Sequence, residues 1–150
     1  MEHEWRRGAF LITTDRHRID LDVVHDFLVN SYWATGIPRE VVRRSIEHSL
    51  PFGLFAGDEQ IGFARVITDY ATFAYLGDVF VIERMRGQGL GHWLVEVIAA
   101  HPDLQGLRRW TLATRDAHAL YRSVGFTPLH AVERWMERYF PDVYRAADSE

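Results

Sequence analysis

The chain has no cysteine, which excludes disulfides, thiolate zinc sites and a cysteine nucleophile together. It has no lysine either, so all 17 of its basic side chains are arginines. Without lysine there can be no phosphate-binding loop of the GxxxxGK type. No apolar run approaches the roughly 18 residues of a membrane span. The opening Met1-Glu2-His3-Glu4-Trp5-Arg6-Arg7 lacks the apolar stretch of a secretory signal. A basic surplus is also missing. The net charge is −4 and the isoelectric point is near 6.0, whereas a domain that holds nucleic acid usually carries excess positive charge. The eight histidines form no His-x-x-x-His or His-Glu-x-x-His pair, so no metal is expected and each histidine is read as a surface or interface residue. No Gly-x-Ser-x-Gly elbow supports serine hydrolysis. These absences point away from nucleic acid and membrane and make a cytoplasmic location the economical expectation.

What is present reads as one domain over residues 1–150. Hydrophobic residues make up 47% and charged residues 25%, enough for a sizeable core. Phe10 to Thr14 suits a strand. Asp20 caps a helix with Leu21, Val24 and Leu28 on one face. Pro38 suits the first turn of a second helix carrying Val42, Ile46 and Leu50. Two strand-like runs, Phe52–Ala56 and Gln60–Ile67, flank a Gly57-Asp58 turn and predict a hairpin. Another strand runs from about Thr72 to Val81. The strongest helical pattern starts near Gly89, with Leu90, Trp93, Leu94, Val97 and Ile98 on one stripe. Trp110–Thr114 predicts a strand, and Asp116 is placed to cap a helix that ends at Gly125. Phe126 onward and Val132–Met136 are expected as closing strands, and the acidic tail Asp148-Ser149-Glu150 as disordered. Helices scattered among hairpin strands argue for an α/β or α+β domain with a mixed sheet.

The informative segment is Val79 to Gly91, a strand and short connection followed by Arg86-Gly87-Gln88-Gly89-Leu90-Gly91 and then a helix. Alternating glycines let backbone approach a ligand closely. The first amides of a helix have no intrahelical acceptor and sit at the positive end of its dipole, which suits phosphate or pyrophosphate. A plain strand-to-helix turn that merely needs glycine fits equally well. A dinucleotide fingerprint does not, because it requires GxGxxG spacing.

Arg86-Gly87-Gln88-Gly89-Leu90-Gly91 resembles the (Gln/Arg)-x-x-Gly-x-(Gly/Ala) signature of the GNAT N-acetyltransferase superfamily, with Val81 five residues before the arginine as in many members. Ala117-His118-Ala119-Leu120-Tyr121-Arg122-Ser123-Val124-Gly125-Phe126 is similar to its second motif, Ala-x-x-x-Tyr-x-x-x-Gly-Phe. The resemblance extends over about residues 9 to 137. It implies a mixed, mostly antiparallel sheet flanked by about four helices and splayed between its fourth and fifth strands. It further implies acetyl-CoA as co-substrate. Phe80 and Val81 would offer strand backbone to the pantetheine arm, and Arg86, Gly87, Gln88, Gly89, Leu90 and Gly91 would cradle the pyrophosphate. Tyr121 matches the tyrosine that protonates the departing thiolate. Many members carry asparagine seven residues before that tyrosine, where this chain has Thr114. Asp116 or His118 stands near enough to replace it, and His118 is counted with the cofactor-binding residues.

Acyl transfer needs a neutral amine, oxyanion stabilisation and a proton for the thiolate. A backbone N–H near Phe80 or Val81 could polarise the thioester carbonyl. Tyr121 lies on the stripe with Ala117, Leu120 and Val124, so it reads as core tyrosine or as general acid. Asp78, three residues before Val81, reads as general base, as a holder of a cationic substrate, or as a strand-end residue bonding to backbone. Glu83 reads as a solvated connection residue. Tyr32 and Trp33, between the first two helices, read as acceptor contacts or as packing anchors. The expected activity is acetylation of a primary amine on a small molecule. A catalytically silent acyl-CoA-binding sensor and a protein or peptide acetyltransferase stand as alternatives, and a homodimer through the C-terminal segment is a further expectation.

Overall fold

A computed structural model describes residues 1–148 of the chain. Six strands form one sheet in the sequential order β1 (Glu4–Arg7), β2 (Phe10–Thr13), β3 (Leu50–Ala56), β4 (Glu59–Thr68), β5 (Phe73–Val81) and β6 (Arg109–Thr111). All neighbours are antiparallel except β5 and β6, which run parallel. Five helices accompany them: α1 (Leu21–Val29), α2 (Arg39–Glu47), α3 (Leu90–Ala99), α4 (His118–Arg122) and α5 (Val143–Asp148). The mixed, mostly antiparallel α/β fold is therefore the one the sequence implies. No helix among the described residues is long and apolar enough to cross a membrane.

Two apolar clusters cover the two faces of the sheet. On one face, Phe52, Leu54, Ala64, Val66, Ala74 and Leu76 meet Leu90, Leu94, Val97 and Ile98 of α3 and Tyr121 of α4. On the other, Phe63 and Phe80 meet Val24 and Leu28 of α1 and Val42 and Ile46 of α2. The Asp20 carboxylate accepts from the Asp22 and Val23 amides and starts α1 as expected.

The placement of Phe80 exposes a break in β5. Side chains alternate along a strand, so Ala74, Leu76 and Phe80 should share a face. They do not, because the register with β4 shifts: Phe63 opposes Phe80 but Arg65 opposes Gly77. The β5 strand thus carries one residue more than β4 over this interval, a β-bulge that reverses every later side chain. Asp78 lies in it with φ +54°, left-handed backbone that costs a non-glycine residue about 1–3 kcal/mol. Just beyond, Gly62 faces Val81. A Cβ on Gly62 would stand 2.8 Å from the Phe80 carbonyl oxygen, so only glycine lets β4 and β5 close so tightly there.

Several expectations need correction. Glu4–Arg7 is a strand, and because it adds one to the count, the splay expected after the fourth strand falls between β5 and β6. β6 stops at Thr111 rather than Thr114. The α4 cap is Ala117 without a side-chain bond; Thr114 Oγ1 accepts the Ala117 amide, and Asp116 pairs with Arg115 instead. Residues 126–140 form no strand and contain one 3-10 turn at Val132–Arg134. Pro128 offers no donor, and Val132 and Met136 are 64% and 96% exposed, so no buried face rewards a strand there. Asp148 ends α5, while Ser149 and Glu150 of the expected acidic tail lie outside the described residues.

Candidate active site

The parallel pairing of β5 and β6 joins only Phe73 to Arg109, Ala74 to Trp110 and Tyr75 to Thr111. Beyond Tyr75, β5 continues to Val81 with β4 on one side and no strand on the other among the described residues. The Ile82 amide donates to Ile61 O on β4. Successive backbone groups of a strand point to opposite edges, so the N–H and C=O of Val81 face the open edge. Phe80 has its backbone turned the other way, and its ring is buried against Phe27, 4.0 Å between centroids and nearly parallel.

Where β5 ends, a 3-10 turn over Glu83–Met85 leads to the glycine turn, and Glu83 is exposed as expected. Gly87 and Gly89 adopt φ +85° and +77°, and Gly89 caps α3. The amides of residues 87–91 donate to no acceptor among the described residues. Leu90 is buried and anchors the helix start. Arg86 donates from Nε to Val81 O at 3.0 Å, which ties the turn to the open strand edge. Gln88 donates to Met85 O. Arg7 of β1 also reaches this place: its Nη2 lies 3.8 Å from where a Gly89 Cβ would stand, and its guanidinium lies 5.9 Å from the Trp93 ring centroid. Nothing local in the sequence marks Arg7, because 82 residues separate it from Gly89.

The loop between α1 and α2 crosses the interval that β6 leaves open. Trp33 donates from Nε1 to Asp78 Oδ1 at 2.9 Å, and the other carboxylate oxygen accepts from Arg65 Nε at 2.6 Å. The Asp78 and Arg65 side chains are only 11% and 19% exposed. Tyr32 meets Trp33 edge to face at 5.1 Å. The Tyr32 hydroxyl accepts the Arg115 N–H at 3.2 Å, and the Arg115 guanidinium lies 3.9 Å from the Tyr32 ring centroid. Asp78, Trp33 and Tyr32 therefore form one chain of contacts from the bulge of β5 to the segment before α4.

Tyr121 lies at the end of that chain. Burial, with a smaller contribution from neighbouring Tyr32, pushes its phenol up to about 12, so it stays protonated across physiological pH. Its hydroxyl has no hydrogen-bond partner among the described residues. It lines a cavity with Thr111, Thr114, His118 and Phe126. Asp116, the other candidate at the asparagine position, is exposed and paired with Arg115. Sequence reading also missed Arg65 and Arg115; their signal is spatial, a cation beside a carboxylate and another beside an aromatic ring.

Histidine needs its own correction. His101 is buried, 1% exposed, and lies with His3 and Asp103 so that their potential ligand atoms fall within 4.8 Å. Burial, then the neighbouring His3, holds the His101 ring below its ordinary range. Its Nδ1 accepts the Asp103 amide, which leaves the neutral ring's proton on Nε2. That nitrogen therefore has no lone pair for a cation, and His101 reads as a core ring packed against Trp5 and Phe52.

An open strand edge running into a helix start with free amides can take a phosphorylated ligand along its backbone. Residues 48–128 match the acetyltransferase (GNAT) domain family. A crystal structure from Xanthomonas campestris pv. campestris, assigned to the GNAT family, is 51% identical; it aligns with 90% of this chain and 96% of its own at a TM-score of 0.88. A protein of Gibberella zeae named for acetyltransferase activity is 30% identical over 78% of each chain. A solved structure from Deinococcus radiodurans R1, 17% identical with a TM-score of 0.70 over 95% of each chain, shares the fold. The chain belongs to the GNAT acetyltransferase family. The family transfers acetyl groups to amine acceptors with acetyl-CoA as co-substrate.

Proposed function

We propose that this protein acetylates the primary amine of a small molecule by direct attack, with Tyr121 as general acid. The observation that carries the proposal is the open edge of β5 between the glycine turn and Tyr121. Bound acetyl-CoA supplies the thioester acetyl group. The free amides of residues 87–91, with Arg86 and Arg7 beside them, have the charge and geometry to hold its pyrophosphate. The outward-facing N–H of Val81 suits a carbonyl oxygen as negative charge develops there; Phe80 contributes packing. His118 lines the Tyr121 cavity and remains a candidate cofactor contact.

The neutral amine attacks the acetyl carbon, the carbon–sulfur bond breaks, and Tyr121 donates its proton to the departing thiolate. The amine's own proton passes to solvent, and solvent restores the phenol. Asp78 has both oxygens engaged by donors, which weakens it as a base; its carboxylate suits the arriving cationic acceptor, which loses its extra proton to solvent before it attacks. Tyr32 and Trp33, half exposed over the gap, suit acceptor contact. The reading carries a single domain, a cytoplasmic setting and a homodimer with it; exposed Met136, Tyr139 and Phe140 are the surface on which a second copy would pack.

Calorimetric titration with acetyl-CoA, followed by an amine screen, tests the proposal. Micromolar binding that largely vanishes with a fragment lacking the pyrophosphate supports the cradle. Tyr121→Phe is expected to lower kcat about 100-fold with acetyl-CoA affinity within about twofold of the original. Unchanged turnover would remove Tyr121 from the chemistry, and no binding by folded protein would overturn the whole reading.

A further inference from the structure

We propose that Trp33 gates the acceptor site: its indole N–H occupies the Asp78 oxygen that the acceptor's ammonium takes on binding. The inference rests on the acetyltransferase reading and deepens it.

Three observations lead there. First, the Asp78 carboxylate is held rather than free. The β5 bulge fixes its backbone at φ +54°, and Arg65 takes Oδ2 at 2.6 Å. That leaves Oδ1 as the oxygen able to change partner. Second, the carboxylate is only 11% exposed, with the Trp33 indole on Oδ1. An ammonium has little room to reach it unless the indole moves. Third, Trp33 is weakly anchored for so large a side chain. It is 41% exposed, and its ring neighbours are Tyr32 at 5.1 Å and Phe27 at 6.1 Å. It sits in a loop without regular structure between α1 and α2.

The chemistry favours the exchange. Both bonds end on an ionised acceptor, but an ammonium brings a full positive charge to the carboxylate and gains an ion-pair attraction that a neutral indole N–H lacks. Trp33 therefore stands in for the amine. An alcohol of the same shape offers no such gain, so the gate selects cations. Tyr32, tied to Arg115 on the far side of the gap, holds the loop while the indole moves. No covalent step is involved.

The test uses the full chain and butylammonium as probe, with butanol as the uncharged control. Binding is followed by tryptophan fluorescence and by calorimetry. Trp33→Phe keeps a six-membered ring against Phe27 and Tyr32 and removes the N–H donor together with the five-membered ring that carries it. It is expected to bind butylammonium about ten- to a hundredfold more tightly, the range that loss of one competing hydrogen bond to a charged acceptor allows. The emission change seen with the original protein should disappear in this variant, and butanol should produce neither effect. Asp78→Asn should lose butylammonium binding. Equal or weaker butylammonium binding by Trp33→Phe, retained binding by Asp78→Asn, or no binding by the original protein would overturn the gate. Acetyl-CoA titrations of the same proteins separate the two ideas: intact acetyl-CoA binding beside a failed gate leaves the acetyltransferase reading standing.

Discussion

The two halves of β5 differ in pairing, backbone conformation and the face they bury. From Phe73 to Tyr75 the strand is bonded on both sides, to β4 and β6, and Ala74 and Leu76 are buried under α3. From Asp78 to Val81 it is bulged, strained at one residue, bonded on one side, and buried against the opposite helices through Phe80. One continuous strand thus supplies scaffold at its start and an exposed backbone edge at its end. Unpaired strand backbone is normally a liability. Here the glycine turn lies at its tip and the Tyr32–Trp33 loop along its side, so in the proposed function the edge is reserved for a ligand.

Three experiments sharpen or break that comparison. Leu76→Ala in the paired half is expected to cost about 2–5 kcal/mol of stability in urea unfolding, with acetyl-CoA affinity of the folded fraction unchanged. A change in affinity instead would mean that the first half also shapes the site. Gly62→Ala, opposite the open half, drives a Cβ against the Phe80 carbonyl and should cost about 1–3 kcal/mol. Because it shifts the backbone at Val81, acetyl-CoA binding should weaken as well, and calorimetry that finds affinity intact would separate Val81 from the cradle. The smallest effect concerns Tyr121. Its folded phenol titrates near 12 against an ordinary value of 10, so between those pH values the unfolded chain has lost the proton and the folded one has kept it. Stability from this group is fully present below pH 10 and is lost as pH rises toward 12. Thermal unfolding across that window should fall less steeply for Tyr121→Phe than for the original protein, and identical slopes would place the hydroxyl in water rather than in the closed end of the gap.

Elements with strong local signals were legible from residues alone. Asp20 before Leu21, Val24 and Leu28 announces α1, the Gly57-Asp58 turn announces the β3–β4 hairpin, and the Leu90–Ile98 stripe announces α3. Edge strand β1 went unread because only half-buried Trp5 interrupts its charged residues. The structure has no strand over residues 126–136, where closing strands were expected, and apolar spacing cannot reveal that Val132 and Met136 stay exposed.

The candidate site divides along the same line. The glycine turn and Tyr121 are written in short motifs, because a helix start with free amides and a tyrosine on a short helix depend on residues only a few positions apart. The bulge, the Arg65–Asp78 pair, the approach of Arg7 to Gly89 and the path from Asp78 through Trp33 and Tyr32 toward Arg115 came only with the tertiary structure. Each joins residues 13 to 83 positions apart. Whether such residues meet is set by strand register and helix packing, which depend on the whole core at once. By itself the sequence determined a cysteine-free α/β acetyltransferase fold and its glycine turn. The tertiary structure decided that Asp78 is held by two donors and that β5 ends in an open edge, because the first needs Trp33 and Arg65 brought to one carboxylate and the second follows from β6 pairing only as far as Tyr75.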